Sequence, residues 1–251
     1  MSTHVLVEKM QAQREGGKIL ATILKEIEAR TVAGVTGLEL DEYARELCVK
    51  HSVEAVYLKE AKDFGYAICI SKNDVLIHGV PDSEPFQDGD KVSFDMTIRH
   101  KGWCVDSAFT ILVGGKGSAA TKHLLRATRG AFYAGIEGIR AGSSVGQIGY
   151  QVEQYLCSAK LGIIKDFIGH GIGRTMHEAP EVPNFGHAKS GAILKVGQTI
   201  CIEPMTSLGG VATKIDPVDG WSVHLVDGSL GAHYEHTVLI LEDGTEVLTA
   251  W

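Results

Sequence analysis

Two aspartates on neighbouring predicted strands give the first chemical signal in this sequence. Residues 91–99 alternate apolar and polar side chains as a strand does, and residues 103–113 are again rich in apolar and β-branched side chains. The connection between them is short and polar, and it contains a glycine. If residues 100–101 form the centre of this turn, Asp95 lies directly opposite Asp106 on one face of a β-hairpin.

Such a pair of carboxylates predicts a bound cation. Directly opposed side chains have Cβ atoms about 4.5–5.5 Å apart, and like charges at that distance destabilise a sheet. A divalent cation removes the conflict, because both carboxylates can ligate one ion, or two ions about 3.5–4 Å apart. The alternative is a pair of acids on a solvated sheet face, which is the commoner situation for two strand acids taken alone.

Three side chains of the second half of the chain favour the metal site. Glu203 and Glu235 each lie in a predicted strand, and His170 stands between two glycines that permit close approach of the backbone. With Asp95 and Asp106 they form an oxygen-rich set with one imidazole, which suits manganese, iron, cobalt or zinc. Taken singly, each also has an ordinary structural explanation, such as a strand end, a surface pair or a core histidine.

Two more histidines, His78 and His177, lie near these candidate ligands in the sequence. Neither belongs to a helical zinc motif, because the residues after His177 do not read His-Glu-x-x-His and Pro180 would end a helix there. We interpret both as hydrogen-bond donors, one near the carbonyl oxygen and one near the leaving nitrogen of a substrate.

The elements that must bring these residues together follow an internal duplication. Each half has two predicted helices, a strand with a His-Gly pair, a glycine turn and two strands that each carry an acid. The halves span about residues 5–117 and 118–251, and we expect them to pack about a pseudo-twofold axis as one catalytic domain, residues 1–251. Thr36 and Glu39 have the spacing of a capping box. The predicted helices lie at 19–27, 36–48, 119–139 and 148–156, and the predicted strands at 66–70, 75–80, 91–99, 103–113, 199–203 and 234–241.

Composition narrows the class of protein. The 251 residues carry a net charge of −7 with no stripe of lysine and arginine, which argues against a nucleic-acid binder. The five cysteines are odd in number and widely spaced, which favours a reducing cytosol over a disulfide framework. The first residues, Met-Ser-Thr-His-Val, do not read as a signal peptide, and no apolar run reaches membrane-spanning length. We therefore expect a cytoplasmic protein.

The chain resembles the methionine aminopeptidases in sequence blocks that extend over nearly its whole length. The blocks are His78-Gly79-Val80-Pro81, Asp88-Gly89-Asp90, Asp95-x-Thr97, Gly169-His170-Gly171-Ile172-Gly173-Arg174, Ile202-Glu203-Pro204-Met205 and Tyr234-Glu235-His236-Thr237. The resemblance implies an α+β protein with the pita-bread fold, a curved antiparallel sheet backed by helices. The short stretch between His177 and Glu203 is similar to the short bacterial type I enzymes, because the type II enzymes carry a helical insertion there.

The same resemblance implies a dinuclear metal centre. Its ligands would be Asp95, Asp106, His170, Glu203 and Glu235, and its two divalent metals would be cobalt, manganese, iron or zinc. Three residues depart from the usual pattern of the family: Met176 stands where an aromatic is usual, and Met96 and Cys104 are less usual beside the aspartates. These departures leave the ligand set intact.

The resemblance also implies roles in hydrolysis. Glu203 would transfer a proton, His177 would stabilise the developing oxyanion and His78 would contact the scissile amide. The free amine of the substrate would bind on the Asp95 side, which restricts cleavage to chain ends. Besides the two histidines, the substrate-binding residues would be Phe64, Cys69, Met176 and Trp221 as a methionine pocket, with ordinary core packing as the alternative for each.

The expected function is therefore metal-dependent removal of the N-terminal methionine from nascent proteins and peptides whose second residue is small. The expected partners are nascent-chain N-termini and, transiently, ribosomes, and the expected oligomeric state is a monomer.

Three different functions compete with this expectation. A proline-selective peptidase of the same fold is one, although those enzymes usually carry a further N-terminal domain for which 251 residues leave no room. A non-catalytic peptide-binding relative is the second, and such a relative would typically lose metal ligands. A metal-storing or structural protein is the third, and it would not need His78 and His177.

Overall fold

The protein is described from a computed structural model, which covers residues 3–61 and 63–251. Residues 1 and 2 lie outside the described residues. They begin the segment Met-Ser-Thr-His-Val, which in the sequence does not read as a signal peptide. The helices are α1 Thr3–Arg30, α2 Gly37–His51, α3 Tyr57–Glu60, α4 Ala119–Ile136 and α5 Val145–Ala159. The strands are β1 Glu54–Ala55, β2 Cys69–Lys72, β3 Val75–Ile77, β4 Lys91–His100, β5 Trp103–Leu112, β6 Gly162–Ile163, β7 Gly169–Gly171, β8 Glu178–Val182, β9 Thr199–Ile202, β10 Met205–Ser207, β11 Thr213–Ile215, β12 Val223–Leu225, β13 Gly231–His233, β14 Glu235–Ile240 and β15 Thr245–Val247.

A nine-stranded antiparallel sheet forms the centre of the molecule. Its strands run in the order β1-β4-β5-β14-β9-β7-β8, with β2 also paired to β4 and β15 to β14. One apolar core packs α1 and α2 against β4 and β5, and a second packs α4 and α5 against β9 and β14. The pairing of β5 with β14 joins the strands of the two predicted halves into one sheet.

The helix boundaries follow local sequence signals. The Thr36 side chain accepts a hydrogen bond from the Glu39 backbone at 3.2 Å, and the Glu39 carboxylate accepts one from the Thr36 backbone at 2.8 Å, so the predicted capping box is present. Helix α4 ends at Ile136, three residues before the predicted end, because Glu137 is extended and Gly138 adopts a φ of 69°. Among the helices of the described residues, none has the length and apolar character that crossing a bilayer requires.

The hairpin of β4 and β5 forms with a register different from the predicted one. The turn consists of Lys101 and Gly102, with φ of 50° and 80°. His100, directly before the turn, pairs with Trp103, directly after it. A two-residue turn of this type needs positive φ at both positions, which places the glycine inside it. Asp95 therefore pairs with Ala108 rather than with Asp106, and the expectation of directly opposed aspartates is wrong.

The two aspartates nevertheless share one face of the sheet. The observed register differs from the predicted one by two residues, and side chains alternate between faces with a period of two. Asp106 pairs with Thr97, so it lies diagonally from Asp95, and diagonal neighbours stay within reach of longer side chains. Asp95 and Asp106 can therefore still ligate a shared cation, as the prediction of a metal site requires.

Candidate metal centre

A row across three strands places an acid on each side of a small residue. Ala108 in β5 pairs with Asp95 in β4 on one side and with Glu235 in β14 on the other. Because an alanine side chain ends at Cβ, the space above the middle strand stays open between the two carboxylates. The sequence analysis identified the two acids but not the small residue, Ala108, that leaves the space between them open.

Hydrogen bonds from two threonines fix Asp106 beside this row. The Thr97 hydroxyl donates to Asp106 Oδ2 at 2.7 Å, and the Thr237 hydroxyl bonds both the backbone N–H and the backbone carbonyl of Asp106, at 2.8 and 2.9 Å. The other carboxylate oxygen, Oδ1, is buried and has no hydrogen-bond partner within residues 3–61 and 63–251. A buried anionic oxygen without a partner is costly, so this atom is available to a cation.

Asp95 has a partner that the sequence did not indicate. The Tyr57 hydroxyl lies 3.2 Å from each oxygen of the Asp95 carboxylate and can donate to one of them at a time. Tyr57 is buried and lies in the short helix α3. No periodic pattern in the sequence predicted this helix. The hydroxyl fixes the carboxylate and leaves oxygen lone pairs for a cation.

The two glutamates enter from the second half of the chain and meet His170. Its Nε2 lies 3.6 Å from Glu203 Oε1 and 4.0 Å from Glu235 Oε1. These separations are too long for hydrogen bonds but fit ligands that share an ion about 2.0–2.2 Å from each donor atom. The Asn184 amide donates to the Glu203 backbone carbonyl at 3.0 Å, which fixes the chain where β9 ends.

The four buried carboxylates have no compensating positive charge among the described residues, so their ionised forms are disfavoured in the absence of a cation. Burial raises the pKa of Asp95, Asp106, Glu203 and Glu235, and repulsion from the neighbouring aspartates raises it further for Asp95 and the two glutamates. Burial lowers the pKa of His170, so the ring stays neutral at pH 7 and does not offset this charge. Divalent cations would offset the charge of the ionised carboxylates. A neutral imidazole together with carboxylate oxygens is a donor set that binds such cations.

Cys201 also comes close to the proposed ligands. Ligand atoms of Asp106, His170, Cys201 and Glu235 all lie within 4.8 Å of one another. Burial and nearby carboxylates raise the pKa of the Cys201 thiol well above its usual value. Since the thiolate is the metal-binding form, this thiol is a poor ligand compared with the carboxylates around it.

His177 lies beside the proposed ligand His170, and His78 lies close enough to His177 and His233 to interact electrostatically with both rings. The ring of His177 lies 4.3 Å from that of His170, centroid to centroid, and His177 is exposed. His78 follows β3 with a φ of 55°, an uncommon conformation for a residue with a side chain and one that recurs at functional sites. Burial lowers the pKa of His78 to about 4, so the ring is neutral and can donate one hydrogen bond.

The residues predicted to bind methionine pack in one apolar cluster next to the acids. The rings of Phe64 and Trp221 are 5.3 Å apart, and Cys69 and Met176 belong to the same cluster. The Met176 sulfur lies 3.1 Å from the hydroxyl of Thr97, the residue that holds Asp106. The fold therefore brings the apolar candidates to the edge of the carboxylate centre.

His233 is a further member of this centre that sequence reasoning missed. It is 2% exposed, and its Nε2 lies 3.7 Å from Glu203 Oε2 and 3.8 Å from Glu235 Oε2. Its position two residues before Glu235 was a usable signal, since side chains two apart share a strand face. The predicted strand began at residue 234, which left His233 outside it.

Comparison with known proteins decides the class of this site. The model of metallopeptidase family M24 matches residues 11–242. The methionine aminopeptidase of Clostridium perfringens is 40% identical over 242 residues, 96% of each chain, and methionine aminopeptidase 1 of Bacillus subtilis is 34% identical over 94% of each chain. This chain belongs to the methionine aminopeptidases of family M24. The predicted resemblance and the class, a metal-dependent aminopeptidase, are confirmed.

Solved structures agree on the fold. The crystal structure of methionine aminopeptidase from Thermotoga maritima superposes with a TM-score of 0.93 at 34% identity and covers 97% of both chains. A prolidase from Pyrococcus furiosus superposes with a TM-score of 0.76, but at 20% identity this shows the fold alone, and the match covers 64% of that chain. The pita-bread fold is therefore confirmed for this M24 metallopeptidase.

Proposed function

We propose that this protein removes the N-terminal methionine from nascent polypeptides and peptides whose second residue is small, using two divalent cations held by Asp95, Asp106, His170, Glu203 and Glu235. The main support is that these four buried carboxylates and one neutral imidazole meet in a chain related over nearly its full length to methionine aminopeptidases.

Charge supports the number of cations. The four carboxylates carry four negative charges when ionised, and the neighbouring imidazoles are neutral. One divalent cation would leave half of that charge buried and uncompensated, and two would balance it. Since uncompensated buried charge is expensive, two cations are the stoichiometry that the side chains favour, whether the metal is manganese, iron, cobalt or zinc.

The residues around the centre divide the work of hydrolysis. When bound, divalent cations lower the pKa of water to about 7 and polarise a carbonyl group. Glu203 would accept the proton of the attacking water and pass it to the leaving amine. The exposed ring of His177 would donate to the substrate carbonyl oxygen as negative charge develops there, and His78 would contact the scissile amide.

Binding of the substrate end would select the bond that is cut. The apolar cluster of Phe64, Cys69, Met176 and Trp221 would take the methionine side chain. The free amine would be held on the Asp95 side, which would restrict cleavage to chain ends. A blocked amine could not bind there, so a formylated peptide would be a poor substrate.

A peptide assay tests this function against the proline-selective alternative. Metal-loaded protein is incubated with Met-Ala and with Ala-Pro peptides, and free methionine and free alanine are measured. We expect methionine release, and we expect a chelator to stop it. Release of alanine alone would establish the proline-selective activity, and stable metal binding without release from either peptide would favour a binding or storage role.

The side chain after the methionine should control the rate. Small residues such as Gly, Ala, Ser, Thr, Cys, Pro and Val would be accepted, whereas Lys, Leu or Phe would clash with the rim of the site. A series of peptides that vary only at this position, compared by kcat/KM, measures the effect. Comparable cleavage of Met-Ala and Met-Lys peptides would contradict this specificity.

The same function implies a cellular setting. We propose a cytoplasmic enzyme that acts as a monomer on nascent-chain N-termini, with transient association with ribosomes. The support is the relationship to methionine aminopeptidases together with five widely spaced cysteines, a composition that suits a reducing compartment.

A further inference from the structure

We infer that His233 is a positioning residue of the metal centre. Its Nε2–H holds the Oε2 atoms of Glu203 and Glu235, so that the Oε1 atoms of both glutamates stay directed at the cations. This inference rests on the proposed metal centre and extends it to a residue outside the five proposed ligands.

The two glutamates lie between two imidazoles. His170 Nε2 faces the Oε1 atoms of Glu203 and Glu235 at 3.6 and 4.0 Å. His233 Nε2 faces the Oε2 atoms of the same two carboxylates at 3.7 and 3.8 Å. Each glutamate therefore presents one oxygen to the proposed ligand and the other oxygen to His233.

The ring nitrogens of His233 have no competing partner among the described residues. The residue is 2% exposed, and neither Nδ1 nor Nε2 makes a hydrogen bond there. A neutral imidazole carries one N–H, and a carboxylate only accepts, so an N–H at Nε2 is the arrangement that suits the two oxygens in front of it. A closure of roughly 0.8 Å would bring either oxygen into hydrogen-bond range.

The backbone fixes His233 in this place. The Thr110 hydroxyl accepts from the His233 N–H at 3.0 Å and donates to the His233 carbonyl at 2.8 Å. His233 also pairs with Met205 between β13 and β10, two residues after Glu203. The backbone of His233 is thus held by β5 on one side and by β10, the strand that follows Glu203, on the other.

Charge argues against His233 as the ligand of a third cation. Glu203, His233 and Glu235 do offer three donor atoms within 4.8 Å of one another. Two divalent cations already balance the four carboxylates, so a third would leave two positive charges buried in the same centre. Hydrogen bonding of ligand carboxylates by a neutral donor carries no such cost, and loss of such partners typically weakens metal binding about 10–100-fold.

Matched amide variants test the inference. The amide nitrogen of glutamine reaches the position of Nε2, and that of asparagine reaches only the position of Nδ1, so the two variants differ in where the donor lies. Titration calorimetry of metal-free protein with Mn²⁺ at fixed pH gives the dissociation constants and the stoichiometry, and the melting temperature of metal-free protein checks folding. His187→Asn, at an exposed histidine, serves as the control.

We expect wild type, His187→Asn and His233→Gln to bind two Mn²⁺ with constants within about threefold of one another, and His233→Asn to bind about 10–100-fold more weakly at the same melting temperature. Equal weakening in both His233 variants, or unchanged binding in His233→Asn, would overturn the inference. A third Mn²⁺ in wild type that His233→Asn loses would also overturn it, in favour of a ligand role. Failure of wild type to bind Mn²⁺ would instead contradict the proposed metal centre.

Discussion

Replacing Asp106 by alanine is expected to abolish methionine release and to lower the bound metal content of the purified protein. Asp106 is 3% exposed, and its Oδ1 has no hydrogen-bond partner among the described residues, so this oxygen is available to the cations, as is Oε1 of Glu235. Asp95 cannot take its place, because it lies in a different strand and the Tyr57 hydroxyl faces its carboxylate. Metal content is measured by elemental analysis after loading and desalting, and activity with a Met-Ala peptide.

The control for this prediction is an exposed aspartate. Asp243 lies in the turn between β14 and β15, so Asp243→Ala removes one negative charge without touching the centre. We expect that variant to keep two metals and full activity. An Asp106→Ala protein with two metals and near-normal turnover would disprove the dinuclear arrangement.

Replacing His177 by alanine is expected to leave the metals in place and to lower kcat by about 10²–10³-fold, the usual cost of losing one donor to a developing oxyanion. His177 is exposed, so removal of its side chain creates no buried cavity. Partial desolvation and the neighbouring His170 lower the pKa of His177, which keeps the ring neutral at pH 7 with one N–H to donate.

Turnover and metal content must be measured together for His177→Ala. His187→Ala, another exposed histidine, controls for the loss of an imidazole far from the acids, and we expect it to match wild type. If His177→Ala releases methionine at the wild-type rate, the ring has no part in the reaction. If it loses metal, the residue acts through its neighbour His170 and not on the substrate.

The sequence predicted the parts of this fold that depend on local pattern. Alternation in residues 91–99 assigned Asp95 to one sheet face, and Thr36 with Glu39 marked the start of α2. Signals of this kind act within one element, where the periodicity of side chains and the capping of free N–H groups are set by neighbours in the chain. The same blocks carried the resemblance to methionine aminopeptidases, which the comparisons confirm.

The hairpin register was decided by the turn, and the sequence prediction of it was wrong. Placing the turn at residues 100–101 ignored the need for positive φ at both central positions, which Lys101 and Gly102 satisfy. The error left the chemistry intact only because it amounted to two residues. A shift of one residue would have moved Asp106 to the opposite face of the sheet.

Tertiary structure alone decided what surrounds the acids. Tyr57 in a four-residue helix, Ala108 between two acidic strands and His233 behind the glutamates come together through pairings of residues far apart in the chain. No local periodicity encodes such contacts, because each depends on which strands become neighbours. The sequence by itself determined which residues could bind metal, and the sheet determined how many of their atoms face one another and which other side chains hold them there.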